Sequence, residues 1–201
     1  MIFVVDTSSA RSALALIGPD GAVVTQEIHE SSRTFDLPGR FRALTAGHPL
    51  TKIAVAIGPG SFTGLRVGVS FGLGVAIGLE IPIVALGTLQ LQAARTDVPV
   101  VAVAEAGRGR VYSLAPGSDP QISGPEDLAK DLPAVGWVRP ETEAALRAAG
   151  LDFVPEAELR TFGGAASRML ESASEVAYGS VKLEYMQGMG SAFARNRWTR
   201  T

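Results

Sequence analysis

The chain has no cysteine, only two histidines and few aromatic residues, and each shortage removes a class of chemistry. Without cysteine there is no disulfide, no thiolate metal site and no cysteine nucleophile. His29 and His48 are too far apart for one helix to present a histidine pair to a metal. Aromatic residues make up 6% of the chain against 46% hydrophobic residues in total, so the core must be built mainly from Ala, Val, Leu and Ile. A net charge of −2 gives this chain, taken alone, no electrostatic reason to bind nucleic acid. The segment most like a membrane span, Val67–Leu79, is uncharged but has only thirteen residues, short of the roughly 20 that a spanning helix needs. The start, Met1-Ile2-Phe3-Val4-Val5-Asp6, has no basic region and an early acid, unlike a signal peptide. A cytoplasmic protein without a membrane segment is expected.

What is present centres on Gly58-Pro59-Gly60-Ser61-Phe62-Thr63-Gly64-Leu65-Arg66-Val67-Gly68. The apolar run Ile53–Ile57 before it predicts a buried strand, and the apolar stretch after it predicts a helix reaching Leu79. Ser61 and Thr63 offer hydroxyls to the unpaired N–H groups of the helix start. Every fourth residue is then small: Gly60, Gly64, Gly68, Gly72 and Ala76. Each interior glycine costs a helix roughly 1 kcal/mol relative to alanine. Residues four apart share a face, so the row makes a bare ridge that another backbone could approach. That backbone could belong to the chain's own sheet or to a partner. Because Val67–Leu79 carries no charge on any side, a partner on the ridge is the preferred expectation.

Along the chain, Ile2–Val5, Ser12–Ile17 and Ala22–Ile28 read as a three-stranded meander turning at Gly18-Pro19-Asp20-Gly21. A short helix is expected near Arg40–Thr45, then the central phrase, a strand over Ile81–Leu86 and a helix from Thr88. The order then restarts: Val103-Ala104-Glu105 repeats Val4-Val5-Asp6, and an arginine stands five positions later in both places (Arg11, Arg110). This predicts two similar lobes, residues 1–97 and 98–201. In the second, the pattern predicts helices over Pro125–Leu132, Glu141–Ala149 and Gly163–Ala177 and a strand over Val135–Val138. The tail Arg195–Arg200 is basic with one tryptophan.

Several chemistries can be weighed. The elbow of a serine hydrolase is G-x-S-x-G, which Gly58–Phe62 does not match, so Ser61 reads as a helix cap and no catalytic residue is expected. Asp6 and Glu105 are conceivable magnesium ligands, but strand-ending carboxylates serve equally well as acceptors for turn N–H groups. Asp6, Thr7 and Ser8 form a hydroxyl-rich turn that could cradle a phosphate or nucleotide. There is no Gly-Lys-Ser/Thr of a Walker loop.

Phe3–Ser9 and Gly58–Gly68 closely resemble the TsaB (YeaZ) family, whose members work in making threonylcarbamoyladenosine on tRNA. The resemblance continues through Ile81–Val84 and, more faintly, Glu105–Tyr112. It implies an α/β fold of duplicated ribonuclease-H-like (actin-like) lobes, each a mixed sheet with a three-stranded antiparallel meander and flanking helices. It implies a non-catalytic subunit that binds and activates a TsaD-like transferase acting on adenosine 37 of ANN-decoding tRNAs. A TsaE-like ATPase joins the pair, and ATP and metal reside in the partners. The family's contact uses the helix after the glycine phrase, so Gly60, Gly64, Arg66, Gly68, Gly72 and Ala76 become partner-contact candidates. tRNA is then met only through the complex, and the isolated chain is expected to pair with itself. The rival is an actin-like ATPase or kinase using the Asp6–Ser9 turn. It would need a second glycine- and hydroxyl-rich phosphate loop, which Glu105-Ala106-Gly107-Arg108-Gly109 does not supply.

Overall fold

The computed structural model describes residues 1–30 and 35–186, so the basic tail Arg195–Arg200 lies outside the described residues. Strands β1 (Ile2–Asp6), β2 (Arg11–Ile17) and β3 (Val23–Glu30) form the expected meander. Helix α1 (Leu37–Thr45) leads to β4 (Lys52–Gly58), α2 (Phe62–Gly78), β5 (Ile83–Gly87) and α3 (Thr88–Ala93). Next come β6 (Val101–Gly107), β7 (Arg110–Leu114), β8 (Gln121–Ser123), β9 (Ala134–Val135), α4 (Pro140–Ala148), α5 (Phe162–Leu170) and β10 (Glu175–Val176).

Two sheets result, ordered β10-β5-β4-β1-β2-β3 and β8-β7-β6-β9. In each, the first strand of a meander pairs antiparallel with its neighbour and parallel with a later strand: β1 with β2 and β4, β6 with β7 and β9. A parallel bridge from Ala134 to Phe153 stands where β5 stands in the first sheet. The repeat of Val4-Val5-Asp6 in Val103-Ala104-Glu105 is therefore a repeat of topology, the one expected for duplicated ribonuclease-H-like lobes.

Period-two alternation sends each strand's side chains to two cores. Phe3, Val5, Ile53 and Val55 face α1 and α2, whereas Val4, Ala54 and Ala56 face Phe162 and Ala166 of α5 and Leu91 of α3. Helix α3 serves both sheets, because Leu89 packs with Val100, Ala102 and Ala104 of the second. Both leucines are buried, and each contributes roughly 1.5–3 kcal/mol by leaving water.

The structure differs from the sequence pattern in four places, the first being that the strand read over Val135–Val138 is only the two residues Ala134–Val135. Residues 125–132 do not form a helix: only Pro125–Asp127 make a 3₁₀ turn, and the chain is extended again at Leu128, whose side chain enters the second core. Gln121–Ser123, which carry too little apolar alternation to read as a strand, complete the second meander as β8. Helix α5 stops at Leu170 rather than Ala177, in a serine-rich stretch whose hydroxyls compete for backbone groups, and β10 then adds antiparallel to β5. The second half of the chain thus returns two elements to the first sheet.

A cluster of charges fastens the sheets on the α3 side. Arg95, 2% exposed, lies over the Trp137 ring at 4.9 Å, donates from Nε to the Arg160 carbonyl (3.2 Å) and pairs with Glu156. Arg160 reaches back to the Ala94 carbonyl (2.6 Å) and to Asp97 (2.7 Å), which also pairs with Arg168. The two guanidiniums hold the Asp97 carboxyl below its usual range, Arg168 contributing most. Arg95→Ala removes the buried member and is expected to lower stability by about 2–4 kcal/mol in urea unfolding. Asp97→Ala, at a fully solvated site where ion pairs are screened, should leave the midpoint nearly unchanged.

Candidate functional site

The glycine phrase and the Asp6–Ser9 turn, far apart in sequence, form one unit. The Ser61 N–H donates to the Ser8 carbonyl (2.6 Å), and the Thr7 hydroxyl donates to the Gly64 carbonyl (2.6 Å). Ser61 caps α2 as expected, its hydroxyl accepting from the Gly64 N–H at 3.3 Å. A Cβ on Gly60 or Gly64 would collide with the carbonyl oxygens of Ser8 and Thr7, one on Gly68 would sit 2.5 Å from the Thr7 hydroxyl, and one on Gly72 would strike Val55. Ala76 is fully buried. The ridge of Gly60, Gly64, Gly68, Gly72 and Ala76 is thus covered by the chain's own β1, the turn after it and β4. The backbone it admits is the chain's own, not a partner's as preferred from the sequence. The sequence pattern does not separate these, because a small-residue row specifies close approach without naming what approaches.

The other side of α2 is uncovered. Phe62, Val67 and Ile77 are 54%, 47% and 53% exposed, and Leu79 at its end is 53% exposed. Ser70, Gly74 and Gly78 make a second row spaced by four on this outer side, and a Cβ on either glycine would meet nothing within 4 Å. Arg66 is the helix's one charged residue and is exposed. Its guanidinium lies 3.7 Å over the Phe62 ring, and its Nε donates to the Tyr185 hydroxyl at 3.1 Å.

The turn residues expected to face phosphate are packed inside. Asp6 and Ser8 are fully buried and Thr7 nearly so. One Asp6 oxygen accepts from the Ser8 N–H (2.8 Å) and hydroxyl (2.5 Å), the Ser8 hydroxyl lies 2.9 Å from that of Thr88, and the second Asp6 oxygen has no partner. Burial outweighs the Ser8 hydrogen bonds and raises the Asp6 carboxyl above its usual range. Of this turn, Ser9 reaches the cleft of about 1030 Å³ that opens between the two sheets. Phe62, Arg66, Tyr112, Arg139 and Tyr185 also line that cleft. Glu105, the counterpart of Asp6, accepts from the Arg139 N–H (3.2 Å) and the Thr142 hydroxyl (2.9 Å), so it holds the start of α4. His29 pairs with Glu27 on β3, and neither histidine lines the cleft. Among the described residues no three of His, Asp and Glu gather as a metal site would require.

The contrast between the two glycine rows is measurable. Gly72→Ala is expected to cost about 1–3 kcal/mol through overpacking. Gly74→Ala should instead stabilise by about 0.5–1 kcal/mol, since it removes a helix-interior glycine in open space. Equal urea midpoints for the two variants would contradict the two-faced helix. For Asp6, a folded-state pKa above the unfolded one means a contribution fully present at low pH and lost as pH rises through the folded value. Asp6→Asn should therefore unfold at higher urea than the native chain at pH 8, and the gap should close as the pH falls towards 4.

Comparison with known proteins agrees with this geometry. A family model described as TsaD, tRNA N6-adenosine threonylcarbamoyltransferase, matches residues 43–129. The tRNA threonylcarbamoyladenosine biosynthesis protein TsaB of Bacillus subtilis is 33% identical over 126 residues, covering 56% of this chain and 53% of that one. The TsaB of Escherichia coli is 38% identical over 76 residues, covering 34% of this chain and 33% of that one. The matches thus span about half and one third of those relatives' lengths. YeaZ from Pseudomonas aeruginosa shares the fold, with a TM-score of 0.68 at 20% identity, over 92% of this chain and 99% of that one. Over the stretches that match, the chain is therefore similar in sequence to proteins named TsaB, and it shares the fold of YeaZ.

Proposed function

We propose that this chain is a non-catalytic subunit in tRNA threonylcarbamoyladenosine biosynthesis, binding and activating a TsaD-like transferase through the outer face of α2. The observation that carries the reading is a seventeen-residue helix whose inner glycines are used by its own sheet while its outer face stays apolar and open. Contiguous exposed apolar surface of this kind marks protein contact. The small residues Ser70, Gly74 and Gly78 let a second helix approach closely, with Val67 and Ile77 on either side to pack against it. The relatives named TsaB and the match to a TsaD model point to which pathway and which partner. In the same reading, the isolated chain pairs with itself through this face, a TsaE-like ATPase joins the complex, and nucleotide and metal are held by the partners. The chemistry is left to them because Asp6, Thr7 and Ser8 are consumed internally and Glu105 caps α4.

The rival ATPase reading would use the same Asp6–Ser9 turn, whose hydroxyls are already engaged with Gly64, Asp6 and Thr88. Titration with ATP and magnesium, giving neither binding nor turnover by the chain alone, would separate the two.

Gly74→Arg places a long cation on the outer face where a Cβ meets nothing, so the fold should persist. Co-purification with a TsaD-like protein, with and without a TsaE-like ATPase, is expected to lose at least about tenfold in recovered complex. Unchanged recovery with this variant would remove α2's outer face as the contact.

A further inference from the structure

Beyond β10 the chain crosses back over the glycine phrase. Val181 and Leu183 pack on the core beneath α1 and α2, and the Glu184 N–H donates to the Ile57 carbonyl at 2.8 Å. Gly58, at φ 118°, leaves room for this crossing, because a Cβ there would lie 2.8 Å from the Glu184 carbonyl oxygen. Tyr185 then stacks on Phe62 with ring centres 5.3 Å apart and accepts the Arg66 hydrogen bond, while Met186 packs on the core of the second sheet. Residues 181–186 therefore stand with one foot on each sheet, along the lip of the cleft that Tyr185 lines. On the opposite side the sheets are joined by α3 and the buried Arg95 cluster.

The two fastenings differ in kind. Arg95 is buried under Trp137 and Glu156, whereas Tyr185 is 46% exposed and rests on Phe62 and Arg66, both exposed themselves. Hydrogen bonds and ring contacts in water are exchanged readily for others, so this is the fastening that opens first. Its anchors, Phe62 and Arg66, are also the cleft end of the outer α2 face.

We propose that residues 181–186 are a releasable strap: it ties the two sheets together along the lip of the cleft in the free chain and must give up Phe62 and Arg66 when a partner seats along α2. This rests on the docking reading above, and deepens it by making partner binding and release of the strap one event. A partner helix laid along Val67, Ser70, Gly74 and Ile77 runs into Tyr185 at the first turn, where Arg66 is already engaged by the Tyr185 hydroxyl. Binding should therefore be weaker than the α2 face alone allows, by the cost of freeing Tyr185.

The test uses the full chain and a TsaD-like protein. Amide hydrogen exchange is measured across residues 57–66 and 181–186, free and bound, for the native chain, Tyr185→Phe and Tyr185→Ala. In the free chain, Tyr185→Ala should speed exchange at Glu184 and across the first turn of α2, with Tyr185→Phe intermediate, since it keeps the ring and loses the hydroxyl. Adding the partner to the native chain should speed exchange at Glu184 while slowing it along α2. Tyr185→Ala should bind the partner about three- to tenfold more tightly. Slower exchange at Glu184 in the complex, or unchanged or weaker binding by Tyr185→Ala, would make the segment a part of the interface and overturn the strap. Gly74→Arg run alongside keeps the two ideas apart: if it binds as the native chain does, the docking face is wrong. The strap then stands or falls on whether Tyr185→Ala loosens residues 57–66 of the free chain.

Discussion

Everything in the first half of the molecule depends on how closely the turn after β1 lies against the start of α2. The Ser8 carbonyl and the Thr7 hydroxyl bond directly to the backbone of residues 61 and 64, a contact possible only where the helix has no Cβ. Helix propensity is sacrificed for it, at roughly 1 kcal/mol for each interior glycine. In return, α2 is held by backbone hydrogen bonds in one rotation about its axis. That rotation decides which residues face Val55 and which face outward, and it sets Ser61, Phe62 and Arg66 as one wall of the cleft.

The same contact explains which features are legible in the sequence. Strand, turn, cap and helix at residues 53–79 are legible because each has a local signal: an apolar run, a glycine-proline turn, a serine at the cap and the absence of charge. The duplicated meander is legible from two acid-terminated strands, each with an arginine five residues on. The orientation of the ridge is not, since it depends on Thr7 and Ser8, more than fifty residues upstream. Arg95 escapes notice for a similar reason. In sequence it is an ordinary arginine after a helix, and only Trp137, Glu156 and Arg160, each more than forty residues away, make it a buried anchor. The strap is equally silent, because the apolar–polar alternation of Val181–Tyr185 would suit any edge strand, and nothing in it names Ile57, Phe62 and Arg66 as the partners that order it.

The two copies of the strand-ending carboxylate show how one topology supports unequal ends. Glu105 has both oxygens satisfied and completes the start of α4, a purely structural duty. Asp6 sits at the corresponding place with one oxygen unpaired and its charge disfavoured by burial. The difference lies in the turn that each strand enters. After Asp6, Thr7 and Ser8 fold down against the helix and exclude water, whereas after Glu105 a glycine turn at Gly107 and Gly109 leaves the carboxylate at the cleft, facing α4. Neither carboxylate has both oxygens free of protein hydrogen bonds.

The outer face of α2 is the remaining asymmetry. Helices α1, α4 and α5 present charge to water: Arg40 and Arg42 on the first, Glu141, Glu143 and Arg147 on the second, Arg168 on the third. Helix α2 has only Arg66, and it lies flat over Phe62 rather than extending into solvent. A helix buried on its inner side by glycine contacts has no need of valine, isoleucine and phenylalanine on its outer side for folding. Polar residues there would raise solubility and, with fewer glycines, helix propensity as well. Folding alone would not select this composition. Docking would, because bare glycines lower the approach distance of a second helix while Val67 and Ile77 supply the area that leaves water. The same helix thus repeats on its outside the device it uses within: a small-residue row that invites a neighbour, met inside by the chain's own turn and left open outside.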